Sequence, residues 1–115
     1  MDGGRGPAEQ AGVGQAGAEQ TAGALHTWEV RVTGLVQGVY YRYFTQSEAR
    51  ARGVAGWVRN EPDGSVLALI QHPDSGVLSD LVVRLKHGPP HAAVDDCTIM
   101  PLSSAQRFHG FEIRR

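Results

Sequence analysis

A two-layer α+β fold, with one mostly antiparallel sheet and both helices on one of its faces, is predicted by three features of this chain. Short segments of alternating hydropathy recur from residue 28 onward, the mark of half-buried strands. Two stretches between them read as helices: Tyr41 to Arg52 is free of Gly and Pro, and Leu78, Leu81, Val82 and Leu85 fall at i, i+3, i+4, i+7. The turn chemistry between segments then sets the order βαββαβ with a short terminal fifth strand, the split-βαβ, ferredoxin-like pattern.

Trp28-Glu29-Val30-Arg31-Val32-Thr33 alternates apolar and polar and predicts the first strand. Two glycines, Gly34 and Gly38, interrupt it before the first helix, which Gly53 closes as a C-cap. Val54 to Arg59 and Ser65 to Gln71 predict the next two strands, joined through Asn60-Glu61-Pro62-Asp63-Gly64, whose Pro-Asp-Gly is strong turn chemistry. Asp74 or Ser75 caps the second helix and Gly88-Pro89-Pro90 ends it. Val94 to Met100 predicts the fourth strand and Phe108 to Arg114 the fifth. In a βαβ unit the first two strands run parallel, here with the third inserted between them. Their carboxyl ends, near Gly34–Gly38 and Asn60, then share one edge, two strand spacings or roughly 10 Å apart.

The chain has 115 residues, 11 basic and 12 acidic side chains and a net charge of −1. That length allows one domain, or one domain with a tail. The balance argues against a dedicated nucleic-acid binder, which normally carries a basic excess. No apolar run approaches the ~20 residues of a membrane span, and the start shows no charged-then-apolar secretory pattern. A cytoplasmic location is the expectation. Residues 1–24 are almost all Gly, Ala, Gln and Glu, with too little apolar surface to offset the entropy of ordering. They are expected to be a disordered tail, leaving 25–115 as the folded domain. Gly12-Val13-Gly14-Gln15-Ala16-Gly17 in that tail matches a dinucleotide-binding string, but it lacks the strand and helix that give the motif its function.

The segment Gly34-Leu35-Val36-Gln37-Gly38-Val39-Tyr40-Tyr41-Arg42 leads from a strand into a helix. Successive N–H groups in such a loop form an anion-binding concavity, and the helix N-terminus adds unpaired donors and a positive dipole end. Arg42 in the first turn is disfavoured by that dipole unless an anion lies between them. Its planar fork of donors suits phosphate or carboxylate. A plain turn with a surface arginine is the competing reading. Asn60, the only asparagine, likewise has two readings. It either starts the Pro-Asp-Gly turn or orients a water beside a bound anion with its amide.

These segments resemble the acylphosphatase family. Gly34 to Arg42 is similar to its first signature, G-x-V-Q-G-V-x-[aromatic]-R, and Gly56 to Val66 to its second, G-W-V-x-N-x-x-x-G-x-V. Gly88-Pro89-Pro90, Val94-Asp95 and Phe111-Glu112-Ile113-Arg114 also look like the family, so the resemblance covers about residues 27–115. It implies a ferredoxin-like α/β sandwich that hydrolyses acyl phosphates to a carboxylate and inorganic phosphate, without metal or cofactor. By motif, Arg42 binds the phosphate, the backbone amides of Gln37, Gly38, Val39, Tyr40 and Tyr41 cradle its oxygens, and Asn60 positions the attacking water. The chain departs from the pattern at His72, where the family usually has glycine, and at Tyr41, where phenylalanine is frequent.

The remaining candidates read as structural. His87 and His91 are separated by Gly88-Pro89-Pro90, so no helix aligns them on a metal. His26, His72 and His109 show no ligand spacing. Cys97, alone on a strand, is expected to be buried and inert. Asp95 and Asp96 are adjacent on a strand and point to opposite faces, which excludes a carboxylate dyad. Trp28, Trp57, Phe44, Phe108 and Phe111 read as core or partly buried aromatics. Arg50, Arg52 and Arg59 raise nucleic-acid binding, but the aromatic stacking motif of RNA-binding modules on this topology is missing. The resemblance implies small acyl phosphates as partners, with phosphate as product; no nucleic acid or membrane is expected, and a monomer is the simplest state. A non-catalytic acyl-phosphate-binding module on the same fold is the alternative; it could dispense with Asn60.

Overall fold

A computed structural model describes residues 24–104 and 106–115. The expected tail, apart from Ala24, and its Gly12–Gly17 string lie outside the described residues. Seven elements follow in order: β1 (His26–Leu35), α1 (Tyr41–Ala51), β2 (Ala55–Asn60), β3 (Val66–His72), α2 (Ser75–His87), β4 (Ala93–Leu102) and β5 (Phe111–Arg114). The strands hydrogen-bond in the order β4–β1–β3–β2–β5. All pairs are antiparallel except β2 with β5. With both helices on one face, this is the ferredoxin-like architecture the sequence predicts.

Alternation decides what the sheet buries. Val30 pairs with Ala68 and Val32 with Val66 across β1 and β3, and Val58 of β2 meets Ala68 from the other side. These residues and Ile70 face Tyr41 and Ala49 of α1 and Leu78, Leu81, Val82 and Leu85 of α2 in one core. The three leucines are fully buried, each contributing about 1.5–3 kcal/mol. Asp74 is the α2 cap, accepting from Gly76 N–H at 2.8 Å, and Gly88 N–H closes the helix on Arg84 O at 2.9 Å.

Boundaries differ from expectation where pairing, rather than alternation, sets them. β1 and β4 run longer than predicted because their ladder continues from Thr27–Leu102 to Leu35–Ala93. β5 is shorter. Phe108 N–H leaves the ladder direction to donate to Gln71 Oε1 at 2.9 Å, and Gly110 O accepts from Gly56 N–H at 3.0 Å. Arg52 caps α1 rather than lying inside it.

Gly34 is a strand residue, not part of the loop. The register shifts between Thr33 and Gly34, leaving Asp95 as the extra residue of a β4 bulge. A Cβ on Gly34 would stand 2.2 Å from Ala93 O. The bulge also breaks the strict alternation expected of Asp95 and Asp96, and both are exposed.

His72 lies at the far end of β3 from Val66, the partner of Asn60. Its Nδ1 accepts from Asp74 N–H at 2.9 Å, so it organises the turn into α2. Cys97 is half-buried against the core, and burial pushes its thiol pKa up. Phe111 and Trp57 are buried, while Trp28, Phe44 and Phe108 are half-buried. The three arginines that raise nucleic-acid binding are engaged within the protein: Arg50 donates to Phe111 O at 3.2 Å, Arg52 pairs with Glu48 at 2.8 Å, and Arg59 pairs with Glu61 at 2.7 Å and, with Arg114, stacks on Trp57. Among the described residues, no group of three or more His, Cys, Asp or Glu could hold a metal, and no helix is long and apolar enough to cross a membrane.

Candidate functional site

β1 and β2 end on the same edge, where β1 passes through residues 36–40 into α1 and β2 ends at Asn60. A cleft of about 300 Å³ opens there, bounded by Val36, Gly38, Tyr40 to Tyr43 and Asn60. Five of the predicted site residues therefore line one space: Gly38, Tyr40, Tyr41, Arg42 and Asn60. Gln37 and Val39 do not. Val39 packs against the core.

The Gln37 side chain turns away from the cleft to the β2–β3 turn. Its Nε2 donates to Glu61 O at 2.8 Å and to Ser65 O at 2.9 Å. Gln37 thus ties the loop before α1 to the turn after Asn60 and fixes the two sides of the cleft relative to each other. This role depends on contacts 24 and 28 positions away, which no local pattern reports. Gln37→Ala removes two hydrogen bonds from carbonyls that keep their backbone donors, Gly64 N–H on Glu61 O and Glu61 N–H on Ser65 O. It should cost about 1–3 kcal/mol, the net worth of two such bonds at about 0.5–1.5 kcal/mol each. A lower urea midpoint with an unchanged m-value checks this.

Gly38 (φ 76°) and Tyr40 (φ 63°) both adopt left-handed backbone. Together they curl the loop so that α1 starts abruptly. The first backbone bond at this end is Phe44 N–H to Tyr40 O at 3.0 Å, and among the described residues the N–H groups of Gly38 to Tyr43 have no backbone acceptor. α1 also has no side-chain cap and no acid in its first turn, whereas Asp74 caps α2. Unpaired donors and the positive dipole end therefore face the cleft, an arrangement that favours an anion.

Tyr41 anchors this helix start. Only 2% exposed, it donates its hydroxyl to Leu85 O in the last turn of α2. Burial, the larger cause, raises its phenol pKa well above the ordinary value. The hydroxyl absent from phenylalanine thus satisfies one of the carbonyls at the end of a helix.

Arg42 is half-buried at the cleft wall and donates from Nη1 to Arg114 O at 3.3 Å. One helical turn apart along the same face, Gln46 and Arg50 both donate to Phe111 O, at 3.1 and 3.2 Å. The face at 42, 46 and 50 therefore grips the open edge of β5, and the terminal strand orients Arg42. One of its five N–H donors is used there, leaving the others for a ligand.

Asn60 pairs with Val66 as the last residue of β2. The turn closes behind it through Glu61 N–H to Ser65 O at 2.9 Å and Gly64 N–H to Glu61 O at 3.1 Å. Ser65 also donates to the Asp63 carboxylate from Oγ at 2.6 Å and from N–H at 2.9 Å, which holds that carboxyl below its usual range. Both readings of Asn60 hold in geometry: it opens the turn and it lines the cleft. Among the described residues its amide has no hydrogen-bond partner, so donor and acceptor both remain available.

A family model described as Acylphosphatase matches residues 28–113. The chain belongs to the acylphosphatase family. It is 50% identical over 86 residues to an acylphosphatase of Rhizobium meliloti, covering 75% of this chain and 90% of that protein. Among solved structures it is similar to the acylphosphatase from Bacillus subtilis, at 37% identity and TM-score 0.74 over 80% of this chain and all of that one. An acylphosphatase from Coxiella burnetii superposes at TM-score 0.74 with 28% identity, covering 78% and 93% of the two chains. The acylphosphatase signatures thus divide by role. Gly34 shapes the sheet, Gln37 and Tyr41 brace the site, and Arg42 and Asn60 border the cleft.

Proposed function

We propose that this protein is an acylphosphatase that hydrolyses the carboxyl–phosphate bond of acyl phosphates without a metal or cofactor. Arg42, the uncapped start of α1 and Asn60 border a single cleft, and that convergence carries the assignment. The Arg42 guanidinium and the backbone N–H groups of residues 37–41 hold the phosphoryl oxygens. The Asn60 amide holds a water in line with the bond to be broken. The water oxygen attacks phosphorus, the P–O bond to the acyl group breaks, and the carboxylate departs with the electron pair. A phosphoryl oxygen takes the water proton, so no side-chain base is required.

Phosphoryl transfer depends chiefly on positioning and charge stabilisation. A carboxylate is a good leaving group and needs no proton from an acid. Preorganised donors aimed at the phosphoryl oxygens supply the remaining stabilisation. The geometry favours this over a binding module because a water-positioning amide is superfluous for anion capture alone.

The deciding experiment is hydrolysis of benzoyl phosphate in excess EDTA, with Asn60→Ala assayed alongside. Asn60→Ala should lower kcat by roughly 10- to 100-fold, the scale of losing alignment of a reacting group, while inhibition by inorganic phosphate changes little. A folded parent protein that binds phosphate and turns over no acyl phosphate would make it a binding module.

A further inference from the structure

Phosphate recognition does not account for the whole cleft. At about 30 Å³ for each water-sized group, a phosphoryl group with its oxygens fills roughly half of the 300 Å³. Tyr40 and Tyr43 line the cleft beside Arg42, their ring centroids 6.4 Å apart and their planes tilted by 47°. They are 74% and 62% exposed, in contrast to Tyr41 between them at 2%.

Tyr40 is the more telling of the two. It is the only non-glycine residue with positive φ among the described residues. Left-handed backbone is strained for a bulky side chain and favours Gly or Asn. Strain of this kind persists where something over-determines it, most often a ligand site. Its ring is mostly in water and, among the described residues, its hydroxyl makes no hydrogen bond, so the folded protein gains little from a tyrosine there. The left-handed turn itself needs only a glycine or asparagine. The ring therefore serves something that enters the cleft.

We infer that Tyr40 and Tyr43 form an acyl-group subsite that makes planar aromatic acyl phosphates better substrates than small aliphatic ones. The inference rests on the acyl-phosphate reading above: with the phosphoryl group on Arg42 and the start of α1, the acyl group projects past these two rings. An aryl group packs against tilted aromatic faces at centroid separations of 4.5–7 Å. An acetyl group has no comparable face to offer.

The test compares kcat/KM for benzoyl and acetyl phosphate in the parent protein, Tyr40→Gly and Tyr43→Ala. Glycine keeps the left-handed backbone at 40, and alanine keeps the helix at 43. Any looser cradle slows both substrates alike and cancels in the ratio. The benzoyl-over-acetyl ratio should exceed one in the parent and fall about threefold to tenfold in each variant, the scale of one aromatic contact. In parallel, binding of phenacylphosphonate and acetonylphosphonate, whose bridging oxygen is a methylene, reads the same preference without turnover. Hydrolysis of both substrates with an unmoved ratio overturns the subsite and leaves the activity standing. Absent hydrolysis with a phenacylphosphonate preference that disappears in Tyr40→Gly overturns the activity and supports the subsite.

Discussion

Arg42→Ala should lower kcat/KM for benzoyl phosphate by about 10²- to 10³-fold, the loss seen when one preorganised charge-stabilising donor is removed. That is about 2.7–4 kcal/mol of transition-state stabilisation. The size follows from position. The guanidinium stands at the uncapped end of α1, where its charge adds to the unpaired N–H groups, and its bond to Arg114 O at 3.3 Å sets its orientation before substrate arrives. Arg42→Lys should recover only a small part of the loss. An ammonium restores the charge but not the planar fork that meets two phosphoryl oxygens at once. Inhibition by inorganic phosphate should weaken in both variants, in contrast to Asn60→Ala. Stability should change little, because the wild-type arginine is itself disfavoured at a helix N-terminus. A folded Arg42→Ala protein with turnover near the parent's would remove the arginine from the chemistry.

The order of elements was legible because each rests on a local signal. Val30 and Val32 alternate with Glu29 and Arg31, Leu78 to Leu85 repeat at helical spacing, and Pro62-Asp63-Gly64 turns the chain. Topology alone then brought Arg42 and Asn60 to one edge. What supports them was not legible. Gln37 reads as one more residue of a loop, yet its amide spans to Glu61 and Ser65. Tyr41 reads as a mild exchange for phenylalanine, yet its hydroxyl reaches α2. The grip of Arg42, Gln46 and Arg50 on β5 joins positions 61 to 72 apart. Such contacts depend on which elements the fold makes neighbours, and hydropathy periods carry no record of them. The bulge at Asp95 is equally silent in sequence, although it explains why position 34 has no side chain.

Gly56 extends that lesson from Gly34 to the second signature and yields a prediction that separates structure from chemistry. It lies in β2, between β3 and β5, opposite Ile70 on one side and Phe111 on the other. Its φ is 140°, and a Cβ there would stand 1.8 Å from Leu69 O. β2 cannot shift to relieve the clash without breaking a ladder, since Gly56 N–H also donates to Gly110 O at 3.0 Å. Gly56→Ala should therefore destabilise the fold by roughly 2–6 kcal/mol, combining about 1–3 for strained backbone with about 1–3 for overpacking. Urea denaturation should show the unfolding free energy falling by that amount, read as a lower midpoint at an unchanged m-value. The reacting groups should be untouched, because Asn60 is four residues further along β2, roughly 13 Å at the rise of a strand. KM for benzoyl phosphate should hold, and kcat should fall only in proportion to the folded fraction. A fully folded Gly56→Ala protein with lost turnover would instead tie this glycine to the chemistry. The expected outcome makes the opening glycine of the second signature a requirement of the sheet that delivers Asn60, and leaves the chemistry to the residues at the cleft.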